Sequence, residues 1–411
     1  MSDRDTLAGR LADVEIPDAD AAASRARSVV LDAFETREVV ASRRRRLPLR
    51  LTLGLAGAAL LVGGAAASPG TSTIIRSVRE AVAPKVQAAR TVPVAPLRLP
   101  GGGYLLVHAP LGARKGLWAV RADGTRRYLG AYRDGAWSPH ARFVVATAGR
   151  RLVALDPRTG AVHWSLTAAS VVTGARWSLE PAVPPCCRVA YLSAGSTRSS
   201  GTLHVVAGDG SGDRAVARAD PRVAPAWRPR STTRALAYVD AAGAVRVISA
   251  DDGRPLAPAY HRGFRPTLVA WSADGTRLLA MNPVSLVVLN ARLQPIGAIR
   301  RPGAHSAFTT AAFAARGHSI VVLRHLNGSG RTQVELLAPS RPARPLETLV
   351  GALHGLAPAP DGRRVLVGWG AADQWLLVPT TATGRTTRVT GLTKAFGSAA
   401  VPVSDAWHST R

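Results

Sequence analysis

Lysine is almost missing from this chain: of 53 basic residues only Lys85, Lys115 and Lys394 are lysines, so the net charge of +27 rests on arginine. So complete a bias reads as a preference at the codon level, and it weakens the usual step from basic charge to nucleic acid. Cysteine is scarce too. Cys186 and Cys187, the two in the chain, are neighbours that can bond only through a small strained ring, which leaves no ordinary disulfide staple. No CxxC or His/Cys cluster accompanies them to hold a metal. They read as two thiols at a loop or strand edge, with a vicinal disulfide in an oxidising compartment as the alternative.

Linear signatures of catalysis are missing as well. The chain has no HExxH, no Walker loop and no dinucleotide fingerprint, and Gly317-His318-Ser319-Ile320-Val321 lacks the closing glycine of a nucleophile elbow. Asp209-Gly210-Ser211-Gly212-Asp213 brings two carboxylates to a flexible loop without the bidentate Glu of a calcium site, and reads as a turn. Residues 1–50 contain neither His nor Cys, so the zinc pattern of many anti-sigma-factor tails is excluded there. We expect no cofactor, no metal and no catalytic residue.

What the sequence does contain is one long uncharged run. From Leu51 to Ser68, through Leu53, Leu55, Leu60, Leu61 and Val62, no residue is charged, and at about 1.5 Å per residue the run covers roughly 27 Å, close to a hydrocarbon core. Pro69-Gly70 stops it. Arg43, Arg44, Arg45, Arg46 and Arg50 precede the run, and only Arg76 and Arg79 follow closely. The positive-inside bias therefore predicts a single-pass membrane helix over 51–68, residues 1–50 in the cytoplasm and the rest outside. Two other readings stand beside it. Gly54, Gly57, Gly63 and Gly64 lower the hydropathy toward that of a core helix, and Ala65-Ala66-Ala67 resembles a signal-peptidase site. Residues 1–42 hold nine acids against five arginines, so the tail is acidic and the outer part basic.

Residues 69–103 read as a stalk. Ile74, Val78, Val82 and Val86 mark one helical face that Pro84 interrupts, and Pro93, Pro96, Pro100 and Gly101-Gly102-Gly103 extend the chain. From Tyr104 to the end the sequence repeats. Landmarks fall at Trp137, Trp177, Trp227, Trp271, Phe313, Pro358 and Trp407, spaced by 40, 50, 44, 42, 45 and 49 residues, the period of propeller blades. Each landmark is followed by turn residues and further β-rich runs, four strands to a unit. Before the first landmark stand three strand-like runs, 104–108, 117–121 and 126–129, and after the last there are none. These halves complete one blade between them and tie the ring shut. The predicted fold is all-β, a seven-bladed β-propeller over 104–411, with six or eight blades as alternatives.

The segments Trp137-Ser138-Pro139, Trp271-Ser272-Ala273-Asp274-Gly275-Thr276-Arg277-Leu278-Leu279 and Ala359-Pro360-Asp361-Gly362-Arg363-Arg364 resemble the repeat of bacterial WD40-like propellers of the TolB type. The resemblance covers about residues 100–411 and implies an interaction platform. Ala154-Leu155-Asp156-Pro157-Arg158-Thr159-Gly160-Ala161-Val162-His163-Trp164 is also similar to the quinoprotein repeat, and adjacent cysteines occur over the cofactor in some quinoproteins. It occurs once, so we read Asp156 and Thr159-Gly160 as a hairpin turn and Trp164 as packing between blades.

The functional expectation is a non-catalytic, membrane-tethered, extracytoplasmic scaffold. It would be a monomeric propeller that binds a protein or an anionic envelope polymer and no nucleic acid. The alternatives are an extracytoplasmic quinoprotein-like oxidoreductase using Cys186, Cys187 and Trp164, and a sensor that signals to its cytoplasmic tail.

Overall fold

Runs such as Leu278-Leu279-Ala280-Met281 and Ile320-Val321-Val322-Leu323 do not alternate between polar and apolar, the mark of strands covered on both faces. The structure, a computed structural model, describes residues 97–99, 102–178, 187–194 and 200–408 apart from positions 232, 262, 316, 340, 382 and 383, all within the unit Val86–Arg411. The predicted span 51–68, its arginines and the acidic tail lie outside the described residues. Among those described, no helix is long and apolar enough to cross a membrane.

The described residues form a seven-bladed β-propeller of seven antiparallel sheets. Numbering the blades along the chain, their first strands are Asp134–Trp137, Val172–Trp177, Ala226–Trp227, Leu268–Trp271, Ser306–Phe313, His354–Pro358 and Val401–His408. Each lies at one edge of its sheet, and each touches the first strand of the next blade around a closed circle, so these are the inner strands. Blade 7 is composite: Val401–His408 pairs with Tyr104–Ala109, followed outward by Gly116–Arg121 and Arg126–Gly130. The C-terminal strand is thus the innermost of its blade, and it closes the ring.

Alternate residues of one strand serve opposite interfaces. In blade 4, Leu278 and Ala280 pack toward blade 3 while Leu279 and Met281 pack toward blade 5. In blade 2, Val189 and Tyr191 face blade 1 while Ala190 and Leu192 face blade 3. The core is therefore a set of slabs between sheets, with blade 7 packed against blades 6 and 1 in the largest. Leu97 and Leu99, which the sequence assigned to the stalk, are buried in that same slab.

Two blades depart from the expected four strands. Blades 3 and 4 have three, and the outer position is held by single bridges, Val245 to Tyr260 and Ile248 to Pro255, then Leu286 to Arg300 and Leu289 to Pro295. Pro255, Pro258 and Pro295 have no N–H to give a ladder, which prevents a regular fourth strand there.

Every landmark ends or nearly ends an inner strand. The indole N–H of Trp227 donates to the carbonyl of Arg176, 2.9 Å away and just before Trp177, and that of Trp271 donates to Ala226, 3.1 Å away and just before Trp227. Each indole thereby ties its inner strand to the previous one at the same height. Trp407 donates to Gly102 at 2.8 Å. The indole nitrogen of Trp177 is buried and meets no acceptor among the described residues. The position before the landmark is alanine in six blades (Ala136, Ala226, Ala270, Ala312, Ala357, Ala406) and Arg176 in blade 2. Arg176 is paired with Asp134 of blade 1 at 3.0 Å.

At the opposite end of the strands, the connection from blade 2 to blade 3 carries Asp220, 1% exposed. Arg222 Nη2 lies 2.6 Å from it and Arg265 Nη2, from the next connection, 2.9 Å. Burial works to raise this carboxyl, and the hydrogen bonds from Arg222 and Arg265 outweigh it, so it sits below the ordinary 3.8.

Two outcomes are expected. Trp271→Phe removes the N–H and leaves the Ala226 carbonyl without its donor, lowering unfolding free energy by about 1–2 kcal/mol in a denaturant titration; an unchanged midpoint contradicts the inter-strand tie. Asp220→Asn costs about 1–3 kcal/mol at pH 7. Because the folded carboxyl is held below its unfolded value, its contribution is complete above about pH 4 and is lost as pH falls through the depressed folded value. The gap between the two proteins should therefore narrow in acid, and a constant gap rules out the pairing.

Candidate functional site

The face on which the inner strands end carries one turn in each of blades 1 to 6, built on a common pattern. The residue after the landmark donates its N–H to the first carbonyl of the next strand: Ser138 to Phe143, Ser178 to Arg188, Arg228 to Ala235, Ser272 to Arg277, Ala314 to Ser319 and Ala359 to Arg364. Where that residue is serine, its hydroxyl accepts the returning amide, from Phe143, Arg188 and Arg277 at 2.9–3.0 Å. This explains the serine after the landmark, whose hydroxyl fixes the turn, and at Trp271-Ser272 the indole fixes the strand as well.

In blades 4 and 6 the turn contains Asp274-Gly275 and Asp361-Gly362, with both glycines at φ +69. Asp274 accepts from Ser272 Oγ at 2.6 Å and lies 2.8 Å from His318 Nε2 in the blade 5 turn. Burial opposes its charge, and the hydrogen bonds from Ser272, Thr276 and His318 outweigh it, holding the carboxyl far below the usual range. Asp361 lies 3.5 Å from Arg364.

Blade 1 breaks the pattern at these two positions. His140 stands where blades 4 and 6 have Asp and where blade 5 has Arg316, and Ala141, at φ 52, stands where those three blades have Gly. A Cβ in the left-handed region costs about 1 kcal/mol, and residues held there gather at functional sites. The next residue is Arg142.

His140, Ala141 and Arg142 form one wall of a cleft of about 450 Å³ between blade 1 and blade 7. Pro157 and Arg158, from the next turn of blade 1, continue that wall; Tyr104, Ala119, Arg121, Thr125, Arg126 and Arg127 of blade 7 form the other. Five arginines and a histidine line it, and no carboxylate does. All five guanidinium side chains are on exposed residues, so they keep their hydration. Arg158 is 3.5 Å from Asp156. Arg121, Arg126, Arg127 and Arg142 have no carboxylate within 4 Å among the described residues; Arg127 donates to the Thr159 carbonyl at 3.2 Å, Arg121 lies 5.7 Å over the Tyr104 ring, and Arg142 lies 5.9 Å over Phe143. At the cleft's edge Asp123 accepts from the Thr125 hydroxyl and amide, which hold its carboxyl below the ordinary value.

The other seams use their arginines differently. Arg188 of blade 2 and Arg234 of blade 3 share Asp251, each at 3.0 Å. Arg228 donates to the Gly275 carbonyl at 2.7 Å and covers the Trp271 ring at 5.4 Å. A second cavity, of about 370 Å³ between blades 2 and 3, holds Arg218, Arg246 and Asp240, and there the charge is consumed internally: Arg246 Nε is 2.5 Å from Asp240. Ser193, His204 and Asp213 also lie together, with Ser193 Oγ 3.1 Å from His204 Nε2 and His204 Nδ1 3.4 Å from Asp213. Asp213 is already taken by the Tyr191 hydroxyl at 2.8 Å, and the strand backbone around Ser193 is paired on both sides, leaving no amide to hold an oxyanion.

The cleft residues were not picked out from the sequence, although comparing the blade 1 turn with its own repeats shows both substitutions. The predicted anchor residues lie outside the described residues. Of the quinoprotein-like candidates, Trp164 donates its indole N–H to the Gly208 carbonyl at 2.8 Å and packs over Gly210, a contact between blades 1 and 2. Cys187 is disulfide-bonded, which corrects its reading as a thiol; Cys186 lies outside the described residues. Asp209 Oδ1 accepts from Ser211 amide and hydroxyl, at 2.9 and 2.7 Å, as a turn residue does. Among the described residues no group of three or more His, Cys, Asp or Glu is placed to hold a metal.

Fold and cleft together define a β-propeller with an exposed basic seam. No protein-family model matches the chain and no curated protein matches it in sequence. Among solved structures it is similar to Kuenenia stuttgartiensis hydrazine synthase, with 14% identity, 60% of this chain and 76% of that one covered and a TM-score of 0.47. It is similar also to the Cps50 (Swd1) β-propeller domain of Myceliophteria thermophila, with 14% identity, 62% and 85% covered and a TM-score of 0.45. Likenesses of this order carry no argument about function.

Proposed function

We propose that this protein is a non-catalytic binding scaffold, carried outside the membrane on the helix predicted at 51–68, that holds an anionic envelope polymer in the cleft between blades 7 and 1. The observation that carries the reading is the lining of that cleft, five arginines with no carboxylate among them. Asp123 at the edge and Asp156 beside Arg158 offset only part of this charge; the remaining like charges repel one another, and a bound polyanion relieves that repulsion while releasing its own counter-ions. The five arginines that line it are on exposed residues, within reach of a chain that passes across it. The topology rests on the arginine asymmetry around residues 51–68, and an outer location puts wall and envelope polymers, not chromosomal DNA, within reach.

The full-length chain in phosphatidylcholine nanodiscs is expected to bind soluble polyanions, linear polyphosphate or poly-L-glutamate, with an affinity that falls as salt rises. Arg126→Ser with Arg142→Ser should weaken that binding about tenfold, equivalent to about 1.4 kcal/mol. The charge-matched control Arg292→Ser with Arg385→Ser, exposed positions on blades 4 and 6, should change it little. Equal losses in both pairs would reduce the cleft to a share of general surface charge. For the tether, a reporter active only outside the membrane, fused after Arg411, should be active; activity confined to a cytoplasmic reporter at that point would reverse the topology.

A further inference from the structure

We infer that the end of the ring opposite the cleft docks on an anionic lipid bilayer, whatever the cleft itself holds. The two ends reverse the same strands and are built from different residues. At the cleft end the turns carry Asp-Gly at 123–124, 209–210, 252–253, 274–275 and 361–362, the polar chemistry usual for a chain reversal. The opposite end puts large apolar side chains into water. Among the described residues seven large hydrophobics are exposed, and five of them belong to this end: Leu111, Val171, Val284, Ile299 and Val350. Leu111, 68% exposed, and Val284, 65% exposed, stand in the turns between the second and third strands of blades 7 and 4. Val171 precedes the inner strand of blade 2 and Val350 ends the outer strand of blade 5. Ile299 adjoins Arg300, which bridges to Leu286 near the start of the last regular strand of blade 4. Singly exposed apolar residues are ordinary; their segregation to one end is not.

Four of the five have basic neighbours. Leu111 shares its turn with Arg114 and Lys115. Val171 stands beside the turn of Arg150 and Arg151, where the Val172 amide donates to Gly149 and the Ala168 amide to Arg150. Ile299 is followed by Arg300 and Arg301, and Val350 is paired across strands with Arg331. All of these basic residues are exposed, and none has a carboxylate within 4 Å among the described residues. The described acids at this end are already engaged, Asp134 by Arg176, Asp220 by Arg222 and Arg265, Asp240 by Arg246, and Asp373 by the Thr393 amide and hydroxyl. Apolar side chains set among unpaired cations match an anionic membrane surface: the apolar tips enter the headgroup layer, and each Lys or Arg is attracted by the lipid charge.

The apolar tips also lie on both sides of the ring. Leu111 and Val171 belong to blade 7 and to the connection between blades 1 and 2, whereas Val284, Ile299 and Val350 belong to blades 4 and 5, across the circle. A protein interface gathers its apolar residues into one desolvated centre; two separated footholds suit a flat, fluid surface instead. They hold the plane of the ring parallel to the bilayer, with the cleft turned outward. The chain enters the ring at the cleft end, where the Leu99 amide donates to Ala122. The residues between 68 and 97 can span roughly 90 Å when extended, far more than a strand such as Gly116–Arg121 at roughly 20 Å, so the anchor predicted at 51–68 is within reach round the side of the ring.

The test measures amide hydrogen exchange of the full-length chain in nanodiscs of phosphatidylcholine alone and of phosphatidylcholine mixed equally with phosphatidylglycerol. In the mixed discs the turns at 110–115, 149–151 and 283–285 should exchange at least about tenfold more slowly than in phosphatidylcholine, while the cleft-end turn at 138–143 should not change. Leu111→Ser with Val284→Ser should abolish the slowing, and Arg114→Ser with Arg301→Ser should remove most of it. Val162→Ser with Ile296→Ser, the two exposed apolar residues away from this end, should keep it. Unchanged exchange in the inner strands shows that each variant folds. Polyphosphate binding is measured on the same variants, so that loss of the cleft and loss of docking are told apart. Slowing that survives Leu111→Ser with Val284→Ser would overturn the apolar contact. Slowing at 138–143 in place of the three turns would put the cleft end on the bilayer and overturn the inference. Equal exchange in the two discs would overturn the lipid surface and leave these turns to a protein partner.

Discussion

The structure depends on one constraint: a sheet of this sequence is apolar on both faces, and each face must be covered by another sheet. Residues such as Leu278 and Leu279 point to opposite neighbours, so no blade is finished by the blade on one side of it. Linear stacking would leave two apolar faces in water at its ends. Closure into a circle removes both, and the composite seventh blade is how the chain achieves it. Hydrophobic burial supplies the drive without direction; the indole-to-carbonyl bonds from Trp227 and Trp271 fix the relative height of successive inner strands.

A repeated frame of this kind makes departures informative. The turn carries Asp-Gly in blades 4 and 6 and, where the landmark is followed by serine, a hydroxyl that holds the returning amide. Those residues solve a local problem, reversing the chain in a few residues, and six blades use the same backbone bond to do it. Where a blade keeps the backbone but changes the chemistry, the change is free of the folding problem and available for recognition. Blade 1, with His140 and Ala141, is such a place, and the arginines of blade 7 stand opposite it.

Much of the frame was legible in the sequence because its causes are local and periodic. Trp137, Trp177, Trp227, Trp271, Phe313, Pro358 and Trp407 end or nearly end inner strands, and the three unmarked runs after Tyr104 join the last strand in one blade. Trp164 packs between blades, as its single occurrence suggested. The missing outer strands of blades 3 and 4 were present as prolines but not recognised, since Pro255 and Pro295 are tolerated in loops as readily as they abolish ladders. The pairing of Cys187 was hidden because sequence shows adjacency and not oxidation state. The cleft was hidden for a different reason: in a chain with 53 basic residues no cluster of arginines stands out, and the pairing of Asp251 with Arg188 and Arg234, against the unpaired Arg121, Arg126 and Arg142, exists only in three dimensions.

The placement of the last strand has a mechanical meaning. Tyr104 is paired with His408, and Trp407 donates to the Gly102 carbonyl, so the point where the chain enters the ring is bonded to the strand that completes it. Tension transmitted along the backbone toward Tyr104 therefore passes the buried Leu97 and Leu99, whose amide donates to the Ala122 carbonyl, and then loads the hydrogen bonds between Tyr104–Ala109 and Val401–His408. These run across the strand pair at four paired positions split by a register shift, and a pull along the strands shears them together instead of peeling them one by one.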